Sequence, residues 1–154
     1  MHIADVAHYV KEDSPLDKEA LERATSVYLA DRVIPMLPRE LSNGICSLNA
    51  GTDRLAMSCM MTFDVNGNVL DHTITESVIC VDERMSYTGV KAILEGQEHP
   101  EGEREDIRAL CFLMKEAAAI LKEKRRKRGA IDFDFPESKI IVDDKGYPID
   151  IHPY

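Results

Sequence analysis

Long apolar runs are absent from this sequence of 154 residues. None reaches the roughly 20 apolar residues that a membrane-spanning helix needs. The first residues, 1–5, have neither the basic start nor the apolar centre of a secretory signal. The length fits one domain. We therefore expect a single-domain cytoplasmic protein that makes no membrane contact.

Paired cysteine spacings are also missing. The four cysteines are Cys46, Cys59, Cys80 and Cys111, and no two of them form a Cys-x-x-Cys pair. Each lies among apolar neighbours, which is typical of buried, reduced thiols rather than of disulfides or zinc ligands. The sequence thus predicts four buried thiols in a reducing compartment.

Motifs of common metal and phosphate sites are absent as well. The five histidines lack metal-ligand spacings, and no phosphate-binding glycine loop is present. Asp132 and Asp134 share one face of a predicted strand, as metal ligands might, but a solvated strand face explains them better. Asp5 lies in an apolar segment. It is predicted to be a buried hydrogen-bonding residue in preference to a metal ligand. No metal site is predicted within the chain.

A basic surface is missing too, because the net charge is −9. This charge argues against binding of nucleic acid by the whole surface. One basic run, residues 122–128, stands out in the acidic chain. Such a run at the end of a helix favours a solvated helix terminus, whose dipole it complements, over a binding function.

The pattern of apolar residues predicts an α+β fold, with a mixed or antiparallel sheet and packed helices. Predicted strands cover residues 2–10, 54–65, 69–79, 131–135, 139–142 and 149–151, and predicted helices cover residues 14–28, 86–94 and 103–126. In residues 54–65 apolar side chains alternate along one face. Asn66-Gly67 predicts a hairpin between the two long strands, and residues 143–146 predict a second one.

The stretch from residue 33 to 58 fits neither a regular helix nor a plain strand. Pro35 and Pro38 forbid a helix across it and favour extended backbone before them. Its residues are nevertheless too apolar for a solvated linker. We therefore predict a loop that lies across a core and carries function.

Three aromatic residues, Tyr28, Tyr87 and Phe133, lie on predicted apolar faces. Core packing is the default for such residues. Stacking on nucleic-acid bases is the alternative for an aromatic side chain near a basic groove. Their spacing does not choose between these roles.

Several segments together resemble the catalytic (RNB) domain of the ribonuclease II and ribonuclease R family, and ribonuclease R in particular. His-Ile-Ala-Asp-Val-Ala-His-Tyr-Val begins at His2, Pro-Met-Leu-Pro-Arg-Glu-Leu-Ser begins at Pro35, and Arg-Gly-Ala-Ile-Asp-Phe begins at Arg128. The other matching segments are residues 14–20, 25–29, 46–49, 54–55, 58–59 and 83–87. The resemblance covers essentially the whole chain.

This resemblance implies a hydrolase that degrades single-stranded RNA, not DNA, processively from its 3′ end with Mg²⁺ and releases nucleoside monophosphates. Two metal ions would stabilise the attacking and leaving oxygens, and stacked bases would give a sequence-tolerant grip. Tyr28 and Phe133 match the aromatic residues that hold the 3′-terminal bases. Tyr87 matches a catalytic-site tyrosine beside the scissile end, and residues 35–48 would help wall the RNA channel.

The match is incomplete in one respect that bears on function. The family's metal-binding cluster, Asp-x5-Asp-x-Asp-Asp, precedes the segment that here starts at His2, and further active-site groups follow the segment that here ends at Tyr154. We therefore expect residues 1–154 to be a partial RNB domain, inactive alone, whose partners are RNA and the missing parts of its own domain. The alternative is a non-catalytic remnant that binds RNA or a protein.

Overall fold

A computed structural model describes residues 1–96, 105–133, 135 and 137–153 of the chain. The strands are β1 (His2–Ala4), β2 (Val27–Tyr28), β3 (Val33–Ile34), β4 (Asp53–Phe63), β5 (Val69–Cys80), β6 (Ser138–Val142) and β7 (Pro148–Pro153). The helices are α1 (Val6–Tyr9), α2 (Pro15–Arg23), a π-helix (Glu40–Ile45), α3 (Tyr87–Leu94) and α4 (Glu105–Lys127). Helices together with antiparallel sheets confirm the predicted α+β class.

The long β4–β5 hairpin dominates the structure. The two strands pair antiparallel from Asp53 opposite Cys80 to Phe63 opposite Val69, and β1 adds to the other edge of β4. The turn between them contains Gly67 at a φ of +75°, a conformation that glycine adopts without a steric penalty. This confirms the predicted hairpin. β2 pairs with β3 and β6 pairs with β7 in two further antiparallel hairpins.

Helix α4 lies against one face of the central sheet. Near its start, Ile107 and Leu110 share a pocket with Ile79 of β5, and near its end Ile120 is the closest side chain to Gly67. The helix therefore runs antiparallel to β5. Small residues, Ala56 and Ser58, are buried on this sheet face. Beyond the sheet, Ile93 of α3 and Cys111 of α4 complete a small buried core.

The opposite sheet face is apolar and largely uncovered. Side chains alternate between the two faces of a strand, and paired residues in the register share a face. Exposed apolar residues of this uncovered face include Ile3, Met57, Met61, Ile74 and Val78. The alternation predicted for residues 54–65 is therefore real, but its apolar side is not the side that this chain buries. Among the residues that the structure describes, no helix combines the length and apolar composition needed to span a bilayer.

The predicted strand over residues 2–10 is wrong beyond Ala4. The carboxylate of Asp5 accepts a hydrogen bond of 3.1 Å from the backbone N–H of His8, and α1 follows directly. A short polar side chain that caps a helical turn in this way ends the strand. Asp5 forms a hydrogen bond as predicted, but it is half-buried rather than buried.

The predicted helix over residues 14–28 begins as expected and ends early. Ser14 caps α2 through a bond to the N–H of Asp17, with Pro15 in the first turn. The helix ends at Arg23, because Ala24 takes a φ of +60°, which an α-helix cannot contain. Tyr28 therefore lies in β2, not on the apolar face of a helix.

The remaining predictions give a mixed result. Helices α3 and α4 and the β6–β7 hairpin confirm the predicted elements, and Gly129 follows α4 at a φ of +91°. The predicted start of α4 at residue 103 and the side chain of Asp134 lie outside the described residues. Residues 131–133 and 135 form no strand, so that prediction is wrong where the structure describes it. All four cysteines are free, but only Cys111 is buried, and Cys80 is exposed.

Candidate nucleic-acid interface

Tyr28 projects from the short β2–β3 hairpin. It lies opposite Val33 in the register, and the backbone N–H of Leu29 donates a 2.8 Å bond to Arg32 across the turn. The side chain is 78% exposed. Core packing, the default for this residue, is thus wrong within this chain, and the ring is available to a ligand.

The hairpin is joined to the proline-rich segment that follows it. The hydroxyl of Ser26 accepts a 2.9 Å hydrogen bond from the backbone N–H of Met36. This bond brings the hairpin beside the π-helix and leaves an open pocket of about 410 Å³ between them. The pocket is lined by Ser26, Tyr28, Val33, Pro35, Arg39, Ser42 and Asn43.

The π-helix begins as soon as the prolines permit a helix. The carbonyl of Pro38 accepts bonds from the backbone N–H groups of Leu41 and Ser42. The turn is widened because the N–H of Cys46 donates to Leu41, five residues earlier. The stretch from residue 33 to 58 therefore contains a short strand, a π-helix and the start of β4, consistent with the predicted irregularity. A π-helix was not predicted, since no local pattern distinguishes it from an α-helical turn.

Phe133 lies in the segment after α4, and its ring stacks on that of Phe135. The ring centroids are 5.6 Å apart and the planes differ by 5°. Both side chains are more than 70% exposed. Asp132 holds this segment to α4, because its carboxylate oxygens lie 3.7 Å from Lys122 Nζ and 3.7 Å from an Arg125 nitrogen. Phe135 was not singled out from the sequence, although its spacing of two residues from Phe133 was the available signal.

Tyr87 is the first residue of α3. Ser86 caps this helix through a 3.1 Å bond from the N–H of Gly89, which fixes the backbone of Tyr87. The side chain is 99% exposed. In the described part of the chain, no ring contact joins Tyr28, Tyr87 and Phe133 to one another. The three predicted site residues are thus all exposed, and they lie in three separate parts of the chain: β2, the start of α3 and the segment after α4.

The basic run at the end of α4 is engaged in local contacts. Lys122 and Arg125 pair with Asp132, and Arg126 pairs with Glu123. Lys124 donates to the β4–β5 turn. These pairs are exposed and stabilise the structure by little individually, as expected for a solvated helix terminus.

The described residues do not fit a Mg²⁺ site. Across residues 1–96, 105–133, 135 and 137–153, no three His, Cys, Asp or Glu side chains converge so that they could hold a metal ion. Asp5, which is half-buried, caps α1 instead. Its charge acts on a neighbouring thiol: burial raises the pKa of Cys46, and the carboxylate of Asp5 raises it further.

Comparison with known proteins places this arrangement in a family. The sequence profile of the RNB domain matches residues 1–154. Ribonuclease R 1 of Lactococcus lactis is 52% identical over 151 residues, which are 98% of this chain and 18% of that protein. Ribonuclease R of Thermotoga maritima is 51% identical over 154 residues, which are 99% of this chain and 22% of that protein.

Solved structures agree with the sequence matches. Mycoplasma genitalium RNase R in complex with double-stranded RNA superposes with a TM-score of 0.90 at 34% identity, covering 99% of this chain and 27% of that one. The same enzyme in complex with ribose-methylated single-stranded RNA also gives 0.90, with 24% of that chain covered. This chain spans about a fifth of the length of the curated relatives it matches. On sequence and on fold alike, the chain belongs to the RNB-domain family of ribonuclease R.

Proposed function

We propose that this chain is a partial RNB domain of a 3′-5′ exoribonuclease that hydrolyses single-stranded RNA to nucleoside monophosphates in the cytoplasm. In this proposal the chain supplies part of the RNA channel and is inactive alone. One observation carries it: Tyr28, Tyr87 and Phe133, the residues that the family resemblance assigns to RNA, are at least 72% exposed. Exposed aromatic rings offer faces on which nucleic-acid bases can stack.

The proposed roles follow from the chemistry of the three side chains. Tyr28 and Phe133 offer open ring faces on which bases stack irrespective of sequence. Tyr87 carries a phenol at the start of α3 and is assigned to the scissile end. Since the described acidic residues form no metal cluster, we assign the Mg²⁺ ligands to polypeptide outside these residues.

The uncovered face of the central sheet supports the partial-domain part of the proposal. Ile74 and Val78 are 63% exposed on a face shared with Ile3 and Met57. Within the described ranges, β5 pairs along its length only with β4, so its outer backbone edge is also open. Both features suit docking of further polypeptide from the same domain.

A segment replacement tests this function directly. The matching segment of Thermotoga maritima ribonuclease R is replaced by residues 1–154, and the chimera is given 3′-labelled single-stranded RNA and Mg²⁺. We expect the chimera to release nucleoside monophosphates and the isolated chain to release none. A folded but inactive chimera would contradict the proposal, as would monophosphate release by the isolated chain above a chain-free control.

The non-catalytic alternative is favoured by one observation, the same open apolar sheet face, which a protein partner could also cover. Substitution of Val78→Asp on that face distinguishes the partial enzyme domain from the non-catalytic binding module. In a partial enzyme domain it disrupts assembly and activity of the chimera. In a stand-alone binding module the folded chimera is inactive with or without this substitution, and Val78→Asp abolishes capture of the module's partner.

A further inference from the structure

The outer edge of β5 presents a row of backbone groups to which no strand of the described chain pairs. Within the described ranges, β5 pairs with β4 on one side and with no strand on the other. All but two of its residues are exposed. It contains neither lysine nor proline, the residues with which natural edge strands commonly prevent pairing. Such an edge is a template on which another chain can add a strand.

The sequence of β5 is complementary to itself in one antiparallel register. When Ile74 lies opposite Ile74 of a second copy, each residue before it lies opposite the residue equally far after it. Two-fold symmetry makes every such pair occur twice. Apolar then meets apolar at the centre, and hydrogen-bond donors meet acceptors on both sides of it. The polar pairs are Asp71 opposite Ser77, His72 opposite Glu76 and Thr73 opposite Thr75.

The pair of His72 and Glu76 specifies this register. Both side chains are exposed, and within the described ranges neither has a hydrogen bond or an ion pair. An imidazole N–H can donate to the carboxylate directly opposite it on a neighbouring strand. A shift of the two strands by two residues loses this match, because it puts Ile74 opposite Glu76 or opposite His72.

This pairing joins two three-stranded sheets into one continuous sheet. The two-fold axis of two antiparallel neighbours runs perpendicular to the sheet, so both copies keep the same face on the same side. Their uncovered apolar faces become continuous, and α4 of each copy lies on the other side. The register shift between Thr62 and Phe63 leaves Leu70 as an extra residue in β5, which limits regular pairing to residues 71–77. Because this interface is short, the association is weak.

We propose that the 154-residue chain forms a weak symmetric dimer through the outer edges of β5. Ile74 lies at the two-fold axis, and His72 of each copy donates a hydrogen bond to Glu76 of the other. The occupant of this edge in the isolated chain is thus a second copy. The inference goes beyond the proposed function and does not rest on it. Further polypeptide of the RNB domain would compete with the second copy for the same edge.

Sedimentation equilibrium of the isolated chain tests the dimer, at concentrations from about 10 μM to 1 mM that suit a small interface. We expect a reversible equilibrium between monomer and dimer. Ile74→Lys places two like charges opposite each other at the axis and should raise the dimer Kd by about tenfold or more. Ile3→Lys is the matched control, since it makes the same change on the same sheet face but in β1, at the other edge. It should change the dimer Kd by less than about twofold.

Charge exchange and cross-linking test the register. His72→Glu places a carboxylate opposite Glu76 twice and should weaken the dimer, and addition of Glu76→Lys should restore it because opposite charges then face each other. Under a mild oxidant, Ile74→Cys should form a disulfide between copies. Thr75→Cys should not, because Thr75 lies opposite Thr73 and the two introduced thiols are too far apart to bridge. The native cysteines are the same in both variants, so they contribute equally.

Three outcomes would overturn the proposal. The first is a parent chain that sediments as a monomer at every concentration. The second is equal weakening by Ile3→Lys and Ile74→Lys, which would indicate association through the apolar faces and not through the edges. The third is a folded double variant of His72→Glu and Glu76→Lys that stays as weak as His72→Glu alone. Far-UV circular dichroism confirms the fold of each variant, and in every case the activity of the segment chimera still decides the proposed function by itself.

Discussion

Lys124 Nζ donates a 2.9 Å hydrogen bond to the carbonyl oxygen of Gly67, 57 residues earlier in the chain. A second bond of 2.9 Å runs from the same nitrogen to Oδ1 of Asn68. Helix α4 is thereby tied to the turn of the central hairpin. These two contacts position the helix that carries Lys122 and Arg125, and with them the Phe133 segment.

Loss of these two hydrogen bonds should weaken the packing of the end of α4 against the hairpin turn. Lys124→Met keeps most of the apolar stem and removes both bonds, and we expect a loss of about 1–2 kcal/mol in the free energy of unfolding, since the donor is charged and partly buried. Lys127→Met, one turn later, removes the same charge without a hydrogen bond described for it. Urea denaturation that showed equal losses for both variants would contradict the role given to Lys124.

Gly67 should be intolerant of a side chain for two separate reasons. Its φ of +75° penalises any Cβ, and an added Cβ would lie 3.1 Å from Cγ2 of Ile120. Gly51 has a similar φ of +69° with open space around it, so Gly51→Ala measures the backbone penalty alone. We expect Gly51→Ala to cost about 1 kcal/mol and Gly67→Ala to cost clearly more. Equal losses of unfolding free energy for the two variants in urea denaturation would show that α4 shifts at this contact without an energetic cost.

Asp64 should make stability depend on pH in the acid range. Hydrogen bonds from the side chain and backbone of Asn68, with a further one from the N–H of Asn66, lower the pKa of Asp64 below its usual 3.8. A lowered pKa in the folded state stabilises the fold above the unfolded-state pKa, and that contribution is lost as pH falls through the folded-state pKa.

The matching measurement is the thermal unfolding midpoint between pH 2 and 7. Asp64→Asn should lower the midpoint near neutral pH and converge with the parent chain at the acid end. Asp71→Asn removes an equal charge from β5 without a hydrogen bond described for it, so it serves as the control. A difference between parent and Asp64→Asn that stayed constant with pH would rule out this linkage.

Cys46 should be slow to alkylate. Burial and the carboxylate of Asp5 both raise the pKa of its thiol, so less of the reactive thiolate is present at a given pH. We expect iodoacetamide to modify exposed Cys80 first. Asp5→Asn retains an oxygen that can cap α1, and it should speed modification of Cys46 by lowering that pKa. Mass spectrometry of the modified peptides over time would show the order in which the cysteines are alkylated. An unchanged alkylation rate of Cys46 in Asp5→Asn would refute the effect assigned to the Asp5 charge.

Tyr28 should matter to RNA and not to stability. Because its side chain is 78% exposed, Tyr28→Ala should change the free energy of unfolding by less than about 0.5 kcal/mol. Ile93 is 1% exposed, so Ile93→Ala should cost about 2–5 kcal/mol. In the segment chimera, Tyr28→Ala should alter RNA affinity or the length of the end product. A large loss of stability for Tyr28→Ala would show that this residue has a structural role instead.

The sequence alone predicted the parts of the fold that depend on local interactions. Asn66-Gly67 has the turn chemistry of a hairpin, so β4 and β5 could be predicted to pair. Ser14 and Pro15 give a helix start that needs no distant partner. The family could also be identified, because a motif such as that beginning at Pro35 is a property of the chain order itself.

Predictions from the local pattern of apolar residues were wrong where a single contact or backbone angle decided the conformation. The alternation after Ala4 predicted more strand, yet the Asp5 cap turned the chain into α1. The i+4 pattern predicted a helix to Tyr28, yet the positive φ of Ala24 ended it, and Tyr28 then paired opposite Val33. In both places the apolar pattern remained compatible with two conformations, and hydrogen bonds selected one.

The candidate site shows the same division between what the sequence predicted and what only the tertiary structure decided. Tyr28, Tyr87 and Phe133 were identified from the sequence by their resemblance to family positions, but whether they were core or exposed was open. Only the tertiary structure decided that they are exposed, because exposure depends on which elements pack over a side chain. It also placed Arg39 and Asn43 beside Tyr28, since the Ser26–Met36 bond that brings the π-helix to the hairpin spans ten residues and leaves no trace in local periodicity.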